Sequence, residues 1–373
     1  MRQANQRYST PMHADQLPTP FLRIDAQVLS KNLQRLADYT AEHGLELCPH
    51  TKTHKSLQVA RMQLEKGAAG LTVAKAGEAE VMAQVSDTVL VAYPTVDEAR
   101  CSVIGRLARQ HTVRVGVDSI EAADALNAAG KTCDSQIRVL VDVDVGFGRT
   151  GVQDAGAALA LAQHIDGCNH LRLDGIMYYP GHVSGPADKQ APLLAAINDQ
   201  LTAVIDAWSK SGLEAAIVSG GSTPSAFQSH LVSCTTQIRP GTYVYHDMNC
   251  VRGGYAELDQ CAARIQCTVV SNAVPGQVII DAGSKTLTSD RCGPAPESGH
   301  GHIVEFPEAK ITRLTEEHGQ VDVSACDGAP KIGQRVQVVP NHICPCVNLH
   351  DQAWLDVGRE LRPLRIDARG KVF

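Results

Sequence analysis

The chain is expected to be an α/β protein, a (β/α)8 barrel of the TIM type followed by a C-terminal, mainly antiparallel β domain. Three observations predict this. Between about residues 20 and 255, short β-branched runs alternate with Ala- and Leu-rich stretches of helical spacing, which is the pattern of a parallel sheet. Eight such runs occur, which favours a closed barrel over an open doubly wound sheet. After residue 255 the alternation stops, and strand-like segments separated by Gly, Pro and Asn turns take over.

The elements follow in order. Asp25 suits the N-cap of an opening helix that runs to about His43, in which Val28, Leu29, Leu33 and Leu36 form one apolar stripe. Barrel strands are read at 46–51, 70–74, 88–93, 112–117, 137–144, 171–179, 215–221 and 236–247. Helices are read at 55–66, 75–85, 95–110, 119–129, 155–166 and 187–211, and the last connection, after Ser222, is short. The β domain takes residues 256–373 and the N-terminal segment 1–19. Its strands are ARIQCTVVS, GQVIIDAG, GHIVEFPEAKITRL, QVDVS and QRVQVVPNHI, with no helix, and the extended segment near residues 17–24 is expected to pair with it.

Composition narrows the function. The net charge is −6 and no Lys/Arg stripe is present, so nucleic acid is not an expected partner. No apolar run approaches the ~18 residues of a membrane span. The polar N-terminus lacks the apolar centre of a signal peptide, so a cytoplasmic location is expected. The twelve cysteines are scattered and read as small buried apolar residues, Cys344 excepted.

On such a barrel, chemistry sits where the strands end at their C-termini. The first strand runs into Lys52, flanked by His50, His54 and Lys55. The fifth leads to Gly146-Phe147-Gly148-Arg149-Thr150-Gly151, and the sixth to Tyr179-Pro180-Gly181-His182. The seventh leads to Gly220-Gly221-Ser222-Thr223, and the eighth to Gly241-Thr242-Tyr243. A single Gly-rich loop is either a tight turn or a phosphate cradle. Two such loops with hydroxyl residues, at the two strand ends where this barrel holds phosphate, favour the cradle. Clustered cations favour the free amine that imine formation needs, so Lys52 is read as a Schiff-base lysine rather than a solvated one. Arg149 is either a loop ion-pair partner or a ligand for a phenolic oxygen or a carboxylate. In the β domain, His342 and Cys344 in a strand would project to one side and suit Zn²⁺, the alternative being a buried pair without metal. Cys346, His300, His302, His318 and His350 are further candidates.

These residues carry a resemblance. PHTKTHK, GFGRTG, SGGSTPS, RPGTYV, DAGSKTLTSD, TEEHG and PNHICPCVNLHD occur in order between Thr19 and the closing ARGKV. Together they resemble the D-threonine aldolase group, which stands with the D-serine dehydratases among the fold-type III, alanine-racemase-like enzymes that use pyridoxal 5′-phosphate (PLP). The resemblance implies Lys52 as the Schiff-base lysine, Arg149 near the PLP phenolate oxygen, with Tyr179 and Gly220 among the cofactor neighbours. It implies phosphate contacts from Gly221, Ser222, Thr223, Gly241, Thr242 and Tyr243. It further implies Zn²⁺ or Mn²⁺ on His342 and Cys344, and a homodimer. The expected reaction is cleavage of a D-β-hydroxy-α-amino acid to glycine and an aldehyde, with His182 as the nearest candidate base. The His-x-Cys pair leans towards the dehydratases, which yield a 2-oxo acid and ammonia, whereas the following PCVNLHD is aldolase-like. An amino-acid racemase and a non-catalytic PLP carrier are further alternatives.

Overall fold

The structure is a computed structural model that describes residues 11–373; residues 1–10 of the segment assigned to the β domain lie outside the described residues. In chain order the elements are β1 (Phe21–Asp25), α1 (Ala26–Glu42), β2 (Glu46–Leu47), α2 (Leu57–Glu65), β3 (Leu71–Val73), α3 (Ala76–Met82), β4 (Thr88–Val91), α4 (Glu98–Leu107), β5 (Thr112–Val117), α5 (Ile120–Cys133), β6 (Ile137–Val143), α6 (Ala155–Asp166), β7 (Leu171–Tyr178), α7 (Ala187–Lys210), β8 (Ile217–Gly220), β9 (Gln237–Ile238) and α8 (Met248–Arg252). There follow β10 (Ala263–Ser271), β11 (Gln277–Ile280), α9 (Ser284–Leu287), β12 (His302–Ile303), β13 (Lys310–Leu314), β14 (Gly319–Asp322), β15 (Arg335–Val339), α10 (Ile343–Val347), β16 (Gln352–Asp356) and β17 (Leu361–Arg365). The chain divides into two compact units. One is built from Gln34–Lys52, Val59–Gly241 and Gly370–Phe373, the other from the segment ending at Leu33, Thr53–Gln58 and Thr242–Arg369.

The first unit is the barrel. Eight strands lie in the order β2-β9-β8-β7-β6-β5-β4-β3, each pair parallel. A parallel bridge between His50 and Thr72 joins the two ends, with Thr72 N–H donating to Pro49 O at 2.9 Å and Thr51 N–H to Thr72 O at 2.8 Å. Val89, Val91, Val113, Val115, Val139 and Val141 are fully buried, as strands covered on both faces require. Asp97, Ser119 and Asp154 cap α4, α5 and α6 by accepting the N–H three residues on. The eighth strand is much shorter than the expected 236–247. Pro240 offers no N–H to a ladder, and a 3₁₀ turn at Thr242–Val244 carries the chain away.

The second unit is a nine-stranded sheet, β11-β14-β13-β12-β15-β10-β1-β16-β17. An additional β10–β11 pairing closes its first six strands into an antiparallel barrel. β1 lies inside this sheet, antiparallel to β10 and parallel to β16, as expected for the extended segment near residues 17–24, so residues 21–25 belong here although the expected barrel range began at residue 20. Asp25 caps α1, its Oδ1 accepting from the N–H groups of Gln27 and Val28 at 2.9 Å. Three departures concern later elements. β16 and β17 were not anticipated, and α9 and the His342–Val347 stretch are short helical turns where no helix was expected. All twelve cysteines are free and seven are buried. Among the described residues no helix is long and apolar enough to cross a membrane.

Candidate active site

In the barrel unit, Lys52 lies in the turn that follows the bridge residue His50, and its backbone N–H donates to His50 Nδ1 at 3.4 Å. His50 is buried and its own N–H donates to Pro240 O at 3.0 Å. The turn is therefore fastened to the two neighbouring strand ends, and the lysine itself is half-buried.

Two strand ends on, Gly220 closes β8 against the ring of Tyr178, with no room for a β-carbon. Gly221 follows at φ +82°, a backbone conformation that favours glycine. The next residue, Ser222, is buried with its Oγ 3.0 Å from Ser225 Oγ, and Thr223 O accepts from Ala226 N–H. Gly241 is buried at the end of the eighth segment. Just before it lies a residue to which sequence reasoning gave no role. Arg239 is a buried guanidinium donating to Ser219 O at 2.6 Å, Ser219 Oγ at 2.9 Å and Tyr178 O at 2.9 Å. Burial pulls its pKa down, and Asp142 opposes the shift. Burial in turn pushes the Asp142 carboxyl up to about 6, against the Thr150 hydroxyl that donates to it at 2.8 Å and the nearby Arg239 charge.

The GFGRTG loop wraps on Asp144, whose Oδ1 accepts from the N–H groups of Gly146, Phe147 and Gly148. This holds Phe147 edge-on to Tyr179 at 5.1 Å between centroids, with the Arg149 guanidinium 4.7 Å from the Tyr179 ring centre. Arg149 and Tyr179 thus come together as a cation–π pair, and Arg149 is exposed. His182 packs its ring beside Gly146, where an added β-carbon would meet Cε1 at 3.3 Å. Its Nδ1 is buried with no hydrogen-bond partner among the described residues.

In the second unit, Tyr243 is buried and Thr242 half-buried in the 3₁₀ turn. His342 and Cys344 come together, but not as a strand pair. His342 is the N-cap of α10 and Cys344 lies in its first turn. The helix starts here because Asp247 Oδ2 accepts the Ile343 N–H at 3.0 Å, a capping group 96 residues away in sequence. Cys344 Sγ is 3.2 Å from Thr53 Oγ1 and 3.6 Å from Thr242 Oγ1. His342 Nδ1 is 3.1 Å from Asp290 Oδ2. Burial works against the charged imidazole, yet Cys344, Asp247 and Asp290 carry His342 up to about 9. Asp290 and Thr53 stand in the DAGSKTLTSD and PHTKTHK motifs but were given no role, and Asp247 carries no local sequence signal. Cys346 is fully buried and donates to Thr286 O at 3.1 Å, and His350 contacts the same oxygen, so neither joins the pair.

The alanine racemase N-terminal domain family matches residues 24–249, well over half of the chain, and the D-serine dehydratase domain matches residues 262–355. A D-threonine aldolase of Arthrobacter sp is 32% identical over 350 residues, covering 89% of this chain and 87% of that one. The chain belongs to the D-threonine aldolase/D-serine dehydratase group of alanine-racemase-like enzymes. A 3-hydroxy-D-aspartate aldolase of Paracoccus denitrificans (strain Pd 1222) is 30% identical over 377 residues, with 97% and 95% of the two chains covered. The crystal structure of D-threonine aldolase from Filomicrobium marinum superimposes with a TM-score of 0.89 at 29% identity, covering 98% of this chain and 99% of that one. The fold is alanine-racemase-like, and the homologues of this group are PLP-dependent lyases. The residues present fit PLP: a lysine at a strand end suits an aldehyde, and a glycine turn at φ +82° with two hydroxyls suits a phosphate. An imidazole, a thiol and an adjacent carboxylate suit a borderline-soft divalent cation.

Proposed function

We propose that the chain is a PLP- and divalent-metal-dependent lyase that cleaves D-β-hydroxy-α-amino acids to glycine and an aldehyde. The observation that carries this reading is His182, a partly buried imidazole in the loop after β7 whose Nδ1 has no partner among the described residues, in a chain resembling D-threonine aldolases along nearly its whole length.

Lys52 would link covalently to the PLP aldehyde. Gly221, Ser222 and Thr223, with Gly241, Thr242 and Tyr243, would hold its phosphate, and Arg149 and Tyr179 would contact the cofactor. When bound, PLP supplies the electron sink for the pair released at Cα. A cation on His342 and Cys344, Zn²⁺ or Mn²⁺, would supply a Lewis acid for the substrate hydroxyl. His182 takes the proton of the β-hydroxyl as the Cα–Cβ bond breaks, so the hydroxyl carbon leaves as an aldehyde. A proton then returns to Cα and gives glycine, which balances the reaction.

The His–Cys pair favours a second reading, a dehydratase in which Lys52 removes the α-proton and the β-hydroxyl leaves. Product analysis from D-threonine separates the two. Glycine with acetaldehyde is expected, and 2-oxobutyrate with ammonia would overturn the aldolase reading. Loss of the visible absorbance of lysine-bound PLP in Lys52→Ala checks the anchor independently of turnover. We further propose a homodimer in the cytoplasm; analytical ultracentrifugation of the purified protein tests the dimer, and subcellular fractionation tests the location.

A further inference from the structure

We propose that Asp124, His164 and Cys168 form a second divalent-metal site, on the outer helical layer of the barrel, which takes zinc or a zinc-like cation and ties α5 to α6. This inference does not depend on the reading of the barrel mouth.

Helix geometry builds the site. His164 lies in the last turn of α6 and Cys168 four residues on. Gly167 between them keeps right-handed helical geometry, and Cys168 N–H donates to Ile165 O at 3.0 Å. Cys168 lies two residues past the end of α6, and its thiol folds back on the last turn, which keeps it beside His164. The third group comes from the neighbouring helix. Asp124 projects from α5, which Ser119 caps and so fixes in register. His164 Nε2 is 2.7 Å from Asp124 Oδ1, and Cys168 Sγ donates to His164 O at 3.3 Å.

One ligand atom from each of the three residues lies within 4.8 Å of the other two. Tetrahedral zinc with one nitrogen, one sulfur and one oxygen ligand needs these atoms roughly 3.3–3.8 Å apart. Reaching that arrangement takes a separation of about 0.6–1 Å between His164 and Asp124, within the swing of an exposed side chain. The Asp124 side chain is 58% exposed and that of His164 33%, so an ion enters from solvent without opening the fold. A borderline-soft cation prefers this nitrogen–sulfur–oxygen set, whereas magnesium does not. Binding expels the Cys168 thiol proton to solvent and leaves a fourth position for water. None of the three residues is used at the barrel mouth.

The test is a cobalt titration of metal-stripped, PLP-loaded protein. Cobalt stands in for zinc and reports thiolate ligation through ligand-field bands in the red, clear of the cofactor. Wild type is expected to bind two equivalents per chain, one of them lost in Cys168→Ser or His164→Ala. Loss of a direct ligand should weaken that equivalent by at least about 100-fold, the upper end of what outer-shell partners cost. Turnover of D-threonine should not change in either variant. If wild type binds one equivalent and Cys168→Ser none, the proposal stands and the His342–Cys344 assignment falls. Identical stoichiometry and spectrum in wild type and Cys168→Ser would overturn the proposal. A second readout guards against misfolding. Zinc at 100 times its Kd should raise the melting temperature of Cys344→Ala by roughly 5–6 °C, and should leave Cys168→Ser/Cys344→Ala unmoved.

Discussion

Asp290 offers the most direct test of how the His–Cys pair is built. Its carboxylate lies 3.1 Å from His342 Nδ1, which fixes the ring and leaves Nε2 as the nitrogen a cation would take. Replacing Asp290 with Ala removes that orientation but not the loop, because the backbone oxygen of Asp290 still accepts from Asn341 Nδ2 at 3.0 Å. Outer-shell carboxylates of this kind are worth about 10–100-fold in metal affinity. Here the His342 and Asp290 side chains are 43% and 45% exposed, so solvent screening places the loss at the lower end, about 10-fold or about 1.4 kcal/mol. Asp290→Asn keeps an acceptor and should lose only about 2–3-fold. The assay is competition for Zn²⁺ against a chromophoric chelator on PLP-loaded protein, which needs no turnover. An affinity unchanged by Asp290→Ala would refute the orienting role. A loss as large as that of Cys344→Ala would mean that Asp290 is itself a ligand.

Three further outcomes follow from the barrel. Asp174 is buried among Arg114, Arg138 and Arg172, at 2.7, 3.4 and 3.1 Å. Asp174→Ala strands these charges at about 3–5 kcal/mol, or about 7–12 °C in the melting of a unit of about 200 residues, whereas exposed Arg172→Ala should cost under about 2 °C; equal shifts in a thermal melt would refute the ranking. The folded-state pKa of Asp142, about 6, lies above its ordinary 3.8, so the folded form holds this proton more tightly and stability falls as pH rises through that window. Asp142→Asn should remove about 3 kcal/mol of that slope, and parallel denaturant midpoints for the two proteins between pH 4 and 7 would contradict it. Gly221→Ala forces a side chain onto φ +82°, at about 1–2 kcal/mol, and should release PLP faster on gel filtration than wild type.

The barrel was legible because several strands, such as Thr112–Val117 and Ile137–Val143, are apolar β-branched runs, and several helices begin at a cap such as Asp97, Ser119 or Asp154. Lys52, the Gly220–Thr223 loop and the His342–Cys344 pair could be singled out as candidates because their chemistry is local in sequence. The geometry of that pair was not. PNHICPC reads as a strand, and only Asp247, from 96 residues away, makes Ile343 a helix start. Pro345 then costs nothing there, since a first-turn residue has no intrahelical acceptor to lose. β17 was missed because Pro363 interrupts LRPLR, which is tolerable only because that strand lies at the edge of the sheet. The partners of the candidate site residues, Asp290, Thr53 and Arg239, stand in motifs that carry the resemblance, but which side chain each one meets is set by tertiary approach.

The placement of β1 bears on how the chain is made. This strand leaves the ribosome well before its two neighbours, β10 and β16, which are translated some 240 and 330 residues later. For most of translation Phe21–Asp25 therefore has bare edges on both sides, while the barrel can complete itself behind it. A nascent chain halted near residue 250 would carry a finished barrel and an orphaned, aggregation-prone strand. The β unit is thus completed only after the barrel strands are made, and it closes around a strand that was translated before them.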